Sequence, residues 1–146
     1  NEVSWLDWCF LEKNQEHFAY MKYMIGFRMA HDVVRKFSGC CSIGFPEIQI
    51  LAPDARTKAL GIVYAGRNRA DTDDDIVCLV VNPYWETQDC FLPVLPHQLK
   101  WQVEADSSGQ YLPGGLPEQG KPVKLEGSQV AVEPRSVLVM TAASVV

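Results

Sequence analysis

The sequence predicts a mainly β protein, an antiparallel β-sandwich with Greek-key connections that is preceded by one long N-terminal helix. Two observations predict this fold class. Apolar residues recur at helical spacing only near the start of the chain, in 14–30. After about residue 44 the hydrophobic period changes to two, and short apolar runs alternate with Gly, Pro, Asn and Asp residues that form turns. Many short strands at this spacing are typical of a β-sandwich.

The predicted helix spans 14–30, with Asn14 as its N-cap and Glu16 in the first turn, where the helix macrodipole favours an acidic residue. Its apolar side chains form two neighbouring stripes, one of Phe18, Met21, Ile25 and Met29 and one of Tyr20, Met24 and Phe27. Together the stripes cover an arc of roughly 200°, whereas a surface helix usually carries an apolar stripe of about 100°. We therefore expect one side to pack on a small β-domain and the other to pack on a part that this sequence does not supply.

After the long helix, the sequence predicts one short helical turn capped by Asp32 and then only strands. The predicted strands are 47–51, 58–65, 75–82, 87–92, 99–106, 122–125, 129–132 and 135–141. The continuous apolar run from Ile76 to Val81 indicates a central strand that is covered on both faces. In 99–106 alternate residues predict one inward and one outward set, with Leu99, Trp101, Val103 and Ala105 inside and Lys100, Gln102, Glu104 and Asp106 outside.

Composition excludes several functional classes. The 146 residues carry a net charge of −5 and no Lys/Arg cluster longer than two neighbours, so we expect no nucleic-acid partner. No apolar run approaches the roughly 18 residues that a membrane span needs. The 5 cysteines are odd in number and irregularly spaced, which predicts reduced thiols in a cytoplasmic protein rather than a disulfide framework.

The sequence predicts no metal site and no cofactor. There is no CxxC motif, and the 3 histidines do not have the spacing of zinc ligands. The acidic loop 71–75 allows a calcium interpretation, but it lacks the glycine and the bidentate glutamate of an EF-hand loop. A solvated acidic hairpin tip is the favoured interpretation.

We predict no catalytic residue in this chain. Glycoside hydrolysis needs two carboxylates, about 5–5.5 Å apart for retention or 6.5–9.5 Å apart for inversion. The candidates are Glu86, Asp89, Glu104 and Asp106, and the last two are expected to be solvated on the outer face of one strand, with nothing to desolvate them. A GxSxG nucleophile motif is also absent.

Aromatic residues are the remaining candidates for a binding surface. Flat rings beside polar groups can bind sugar rings. For Tyr84–Trp85 we favour the alternative that they cover the core or a domain seam, whereas for Trp5 and Trp8 both interpretations stay open.

Two segments carry a family resemblance. The opening NEVSWLDW, residues 1–8, resembles the NEISWLDW-type segment of glycogen debranching enzymes and bacterial isoamylases, which belong to the alpha-amylase superfamily. The segment DIV…VNPYWE, within 75–86, is similar to their C-terminal "D-I-hydrophobic…N-x-Y-W-E" segment, and Phe91-Leu92-Pro93 and Trp101 match its continuation.

The resemblance implies that residues 1–41 are the end of a catalytic (β/α)8 barrel, with the long helix as its last helix, and that 42–146 are the C-terminal β-sandwich domain. Because barrel active sites lie on the loops that follow the strands, Trp5 and Asp7 would border the substrate cleft. The family's catalytic carboxylates lie upstream, so none is carried over. The chain departs from the family at His31-Asp32, where His-Pro is common, and the stretch between Ile48 and Asp54 is short.

The resemblance therefore implies part of a glycogen debranching enzyme that hydrolyses α-1,6 branches of glycogen or related α-glucans, cut from a longer chain that supplies catalysis. The first residue, Asn1 rather than Met, agrees with such a cut. A free-standing carbohydrate-binding module, with Tyr84, Trp85 and Trp101 as a sugar platform, and a purely structural domain are the alternatives. We also expect self-association through the apolar face from Phe18 to Met29.

Overall fold

The computed structural model describes residues 7–51 and 58–145. Two helices, α1 (Cys9–Lys13) and α2 (Gln15–Ala30), are followed by a 3-10 turn (Asp32–Val34). The strands of the described residues are β1 (Ile48–Leu51), β2 (Leu60–Arg67), β3 (Asp74–Asn82), β4 (Gln88–Phe91), β5 (Leu99–Asp106), β6 (Val123–Lys124), β7 (Gln129–Val132) and β8 (Ser136–Ser144). Short 3-10 turns at Pro113–Gly115 and Glu118–Gly120 lie between β5 and β6.

The strands pair antiparallel throughout the described ranges. One sheet has the order β1-β2-β3-β8-β5-β6, and a second sheet pairs β4 with β7. The predicted central strand is β3, which lies between β2 and β8. The β5 and β7 strands begin and end at the predicted residues, and the other strands differ from the prediction by a few residues at most. The prediction of a mainly β, antiparallel fold is confirmed.

The six-stranded sheet is covered on both faces, as the apolar run of β3 predicts. Because side chains alternate along a strand, Ile76 and Cys78 point to opposite sides from Val77. Ile76 and Cys78 pack in a core that includes Cys90 and Val130 of the small sheet. On the other face, Val77 belongs to a second core against which α2 packs. The sheet is therefore a central layer between the small sheet and α2.

A β-bulge in β5 overturns the predicted alternation of its last residues. The pairing with β8 shifts between Val103 and Ala105, which leaves Glu104 as the extra residue. Val103 packs in the core toward the small sheet, but Ala105 packs in the core under α2. The prediction that Glu104 and Asp106 are solvated is wrong, since both side chains are buried.

The two helices near the start of the described chain follow one another with a single residue between them. The predicted long helix is confirmed as α2, and α1 lies before it, where the sequence predicts no helix. Asn14 precedes α2 without capping it, because its Nδ2 donates to the Phe10 carbonyl of α1 at 2.8 Å. The α-helices of residues 7–51 and 58–145 are α1 and α2. Neither of them has the length and apolar content of a membrane-spanning helix.

Candidate functional site

One side of α2 forms an exposed apolar surface. We use "outer face" for Phe18, Met21, Ile25 and Met29, whose side chains are 52%, 47%, 62% and 52% exposed. The neighbouring stripe, Tyr20, Met24 and Phe27, packs against the core on the sheet. The sheet thus covers one of the two stripes that the sequence predicts to be buried, and no described residue covers the other.

Helix α1 extends this apolar surface. Trp8 is 77% exposed, and Phe10 and Leu11 are also exposed. Together with Phe18 and Met21 they line a shallow groove of about 290 Å³ along the side of α2. Exposed apolar patches of this kind are characteristic of interaction surfaces.

The two residues predicted to border a substrate cleft have different outcomes. Trp5 lies outside the described residues. Asp7 is exposed at the start of α1, where its Oδ1 accepts a hydrogen bond from the Cys9 amide at 2.9 Å. This contact fixes the beginning of α1 and leaves the other carboxylate oxygen available to solvent or to a ligand.

A buried polar network fastens α2 to the sheet. The Tyr23 hydroxyl donates to Oε2 of Glu104 at 2.9 Å, and Oε1 of Glu104 accepts from Thr141 at 2.8 Å and from Gln102 at 2.9 Å. Burial and the bond to Glu104 raise the pKa of the Tyr23 phenol, which therefore stays a donor. The bulge turns the Glu104 side chain toward α2. Strand alternation alone therefore predicted the wrong environment for this residue.

Asp106 is also engaged in hydrogen bonds within the fold. Its Oδ1 accepts from the backbone amide of Ser108 at 2.8 Å and from the Ser108 hydroxyl at 2.6 Å, while Oδ2 accepts from the Tyr111 amide at 2.7 Å. These bonds close the turn after β5. The other two carboxylates that the sequence offered, Glu86 and Asp89, are exposed. The two buried candidates, Glu104 and Asp106, are thus both engaged in hydrogen bonds within the fold.

A charged cluster holds the end of α2. Asp32 is buried and was predicted to cap the next turn, but it makes no capping bond. Instead its carboxylate pairs with Arg69 at 2.9 Å and with Arg35. The hydrogen bond from Arg69, with a further bond from Arg35, holds the pKa of Asp32 well below its usual range although burial opposes this. His31 contacts Asp75 at the start of β3 through Nδ1 and Oδ1 at 2.7 Å.

The acidic loop 71–75 is used for internal contacts. Asp74 accepts from the Ser42 amide at 2.8 Å and pairs with Arg67 at 2.9 Å, and Asp71 also pairs with Arg67 at 3.1 Å. Asp75 also contacts His31. The prediction of a solvated acidic tip therefore applies only to the exposed part of the loop, and not to Asp74 and Asp75. Among residues 7–51 and 58–145, no group of three His, Cys, Asp or Glu side chains is placed to hold a metal ion.

Asp74 gives the fold a measurable acid sensitivity. Burial is the largest effect and opposes its ionisation, but the bonds from Ser42 and Arg67 outweigh it and lower the pKa to about 2. Because the folded pKa lies below the unfolded value of about 3.9, this stabilisation is complete above about pH 4 and is lost as the pH falls toward 2.

We expect Asp74→Asn to lower the free energy of unfolding by about 1–2 kcal/mol at pH 7 and by almost nothing at pH 2. Urea denaturation at both pH values measures this. Asp89→Asn on exposed β4 is the control, and equal losses for Asp74→Asn at both pH values would contradict the assignment.

The five cysteines offer no reactive pair. Cys9 and Cys40 are exposed, and Cys41, Cys78 and Cys90 are buried and free. Burial, with the neighbouring Cys90, raises the pKa of the Cys78 thiol, and burial also raises that of Cys90. Protonated buried thiols are poor nucleophiles and poor metal ligands, so these side chains act as core residues.

The turn between β3 and β4 presents two stacked aromatic rings. The ring centroids of Tyr84 and Trp85 lie 4.0 Å apart with an interplanar angle of 29°. Trp85 is 65% exposed, so it does not cover a core of the described residues, and the alternative that it covers a seam with another domain stays a prediction. Trp101 is buried and its Nε1 donates to the Pro93 carbonyl at 3.0 Å, which excludes it from a sugar platform with the other two rings.

Nearly the whole chain is similar to one part of larger solved structures. No protein-family model and no curated protein matches it. The pullulanase from Bacillus acidopullulyticus matches with a TM-score of 0.65 and 19% identity over 96% of this chain. The Group B Streptococcus pullulanase SAP matches with a TM-score of 0.62 and 18% identity over 94%. The fold is similar to part of a pullulanase.

The chain spans only 15% and 18% of the lengths of these two pullulanases. At such identity the similarity establishes the fold alone. The sequence prediction missed helix α1 and the burial of Glu104 and Asp106. The apolar and aromatic residues of 8–11 were a signal for α1.

Proposed function

We propose that this chain is the C-terminal part of a debranching glycoside hydrolase that cleaves α-1,6 linkages in glycogen or related α-glucans. The exposed outer face of α2 carries the proposal, because it is the surface against which a larger domain would pack. The NEVSWLDW opening and the pullulanase-like fold support it. Pullulan, glycogen and limit dextrins share the α-1,6 bond, so they are the substrates to compare.

In this proposal residues 1–41 complete the catalytic barrel and 42–146 form the C-terminal β-sandwich, with Greek-key connections. Helix α2 then lies between the barrel and the β-domain. The buried network of Tyr23 and Glu104 and the contact of His31 with Asp75 fasten α2 to the β-domain. The outer face of α2 would pack on the rest of the barrel.

The chemistry in such an enzyme is a retaining double displacement by two carboxylates about 5–5.5 Å apart. In the proposal both carboxylates come from the rest of the enzyme, and the structural bonds of Glu104 and Asp106 support this. The chain would act by holding the last barrel helix in place, and Trp5 and Asp7 would border the substrate. No metal or cofactor is required. The free thiols agree with a cytoplasmic enzyme.

The native gene product tests this proposal. We expect a protein far heavier than 16.4 kDa that releases reducing ends from pullulan or glycogen, whereas the 146-residue chain alone releases none. A native product near 16.4 kDa, or a large product without activity on any α-1,6-linked glucan, would overturn the proposal. Activity of the isolated chain would overturn its non-catalytic role.

A free-standing carbohydrate-binding module is the second candidate, and the exposed ring of Trp85 is the observation that favours it. A purely structural domain would show neither activity nor sugar binding. The mass of the native product separates both from the first proposal.

A further inference from the structure

We propose that Tyr84 and Trp85 form an α-glucan-binding platform at the end of the β-domain, separate from the site of bond cleavage. This inference rests on the proposed function, which supplies the ligand. One face of the Trp85 indole lies on Tyr84, and the side chain is 65% exposed. The other indole face is therefore presented as a flat apolar surface, on which the C–H face of a glucose ring can stack.

The turn that carries the rings is rigid. Asn82 is fully buried, and its Nδ2 donates to the carbonyls of Glu86, Val132 and Glu133 at 2.9, 2.9 and 3.0 Å. Its Oδ1 accepts from the Tyr84 amide at 3.0 Å. The Tyr84 carbonyl accepts from the Arg135 amide at 3.0 Å. A ring held in place before binding loses little conformational entropy when a ligand arrives.

Polar groups beside the rings suit a polyhydroxylated ligand. Glu86 and Thr87 follow Trp85 directly and are exposed. The Thr87 hydroxyl donates to the Glu133 carboxylate at 3.2 Å, at the neighbouring turn before β8. Carboxylate and hydroxyl oxygens are acceptors for sugar hydroxyls. A proline-rich peptide would instead need a groove between aromatic ridges, and two rings stacked on each other leave no such groove.

The rings lie at the end of the sheet where the N-terminal part of α2 also lies. Asn82 at the end of β3 pairs with Ser136 at the start of β8, and the next residue, Val137, bonds to Ser107 after β5. Tyr20 of α2 packs beside Gly115 at this same end, because a Cβ on Gly115 would lie 3.2 Å from its ring. If α2 is the last barrel helix, its N-terminal end faces the active-site side of the barrel. A glucan bound at Trp85 would then lie on that side.

Binding of maltoheptaose to the 146-residue chain tests the platform directly. Isothermal titration should show millimolar binding that Trp85→Ala weakens about ten-fold or more, as expected for loss of an aromatic anchor. Phe91→Ala removes another exposed ring, on β4, and should bind like the wild type. Cellopentaose, which lacks α-linkages, should bind more weakly. Urea midpoints of both variants should match the wild type, because Trp85 belongs to neither core.

In the native gene product, Trp85→Ala should raise the KM for glycogen at least about three-fold with kcat unchanged, and leave the KM for a short branched oligosaccharide unchanged.

Absence of maltoheptaose binding to the wild-type chain, or equal binding to Trp85→Ala, would overturn the platform. Cleavage of pullulan by the gene product without such binding would overturn the platform alone. Binding without any cleavage would overturn the proposed function alone. Wild-type KM values in Trp85→Ala would contradict a role in substrate capture.

Discussion

Introducing glutamate at Met21 and Ile25 should convert a self-associating 146-residue chain into a monomer. Both side chains lie on the outer face of α2, which the described residues leave exposed. Burial of one such side chain contributes about 1.5–3 kcal/mol. Losing two of them, and burying charges instead, should weaken dimerisation at least about 100-fold. Sedimentation velocity over a concentration series measures this directly.

The same double variant should keep most of its stability, since neither side chain belongs to either core of the described residues. Val94→Glu is a matched control, because Val94 is an exposed apolar residue far along the chain from α2 and should leave association unchanged. By contrast, Phe27→Ala on the packed stripe should lower the free energy of unfolding by about 2 kcal/mol. A wild-type chain that sediments as a monomer at high concentration would contradict the expected association.

Asn82→Ala should be among the most destabilising single substitutions in the chain. The side chain is fully buried and bonds three carbonyls and one amide that join the turn after β3 to the turn before β8. Its removal leaves buried polar groups without a partner, each of which costs about 1–3 kcal/mol. We expect a loss of about 3–4 kcal/mol in the free energy of unfolding.

Asn14→Ala is the matched control for that substitution. Its side chain makes one exposed bond, to the Phe10 carbonyl, and we expect a loss of at most about 0.5 kcal/mol. Thermal or urea denaturation compares the two. Equal, small losses would show that Asn82 does not hold the turns together, and would also weaken the case for a rigid platform at Trp85.

Much of the fold could be predicted because local patterns and tertiary packing agree. The continuous apolar run of β3 requires cover on both faces, and it has both. The wide apolar arc of α2 requires two partners, and only one is present among the described residues.

The wrong predictions concern features that the hydrophobic period of the sequence does not describe. A single extra residue at Glu104 changes which face the end of β5 presents. Asn14 and Asp32 have the residue types of N-caps, but their side chains bond other partners, the Phe10 carbonyl in the preceding helix and the distant Arg69. The stacking of Tyr84 on Trp85 depends on where β3 ends and on Asn82, so the dipeptide alone could not distinguish rings that cover the core from exposed rings.

Methionine oxidation tests most directly whether another part of a larger protein covers the outer face of α2. Met21 and Met29 are exposed in this chain, whereas Met24 packs toward the sheet and Met140 is fully buried. With dilute hydrogen peroxide, at concentrations where the chain is monomeric, Met21 and Met29 should form sulfoxide first. In the native gene product both should react at least about ten-fold more slowly, close to the rate of Met24. Equal oxidation rates of Met21 and Met29 in the two proteins would contradict the account.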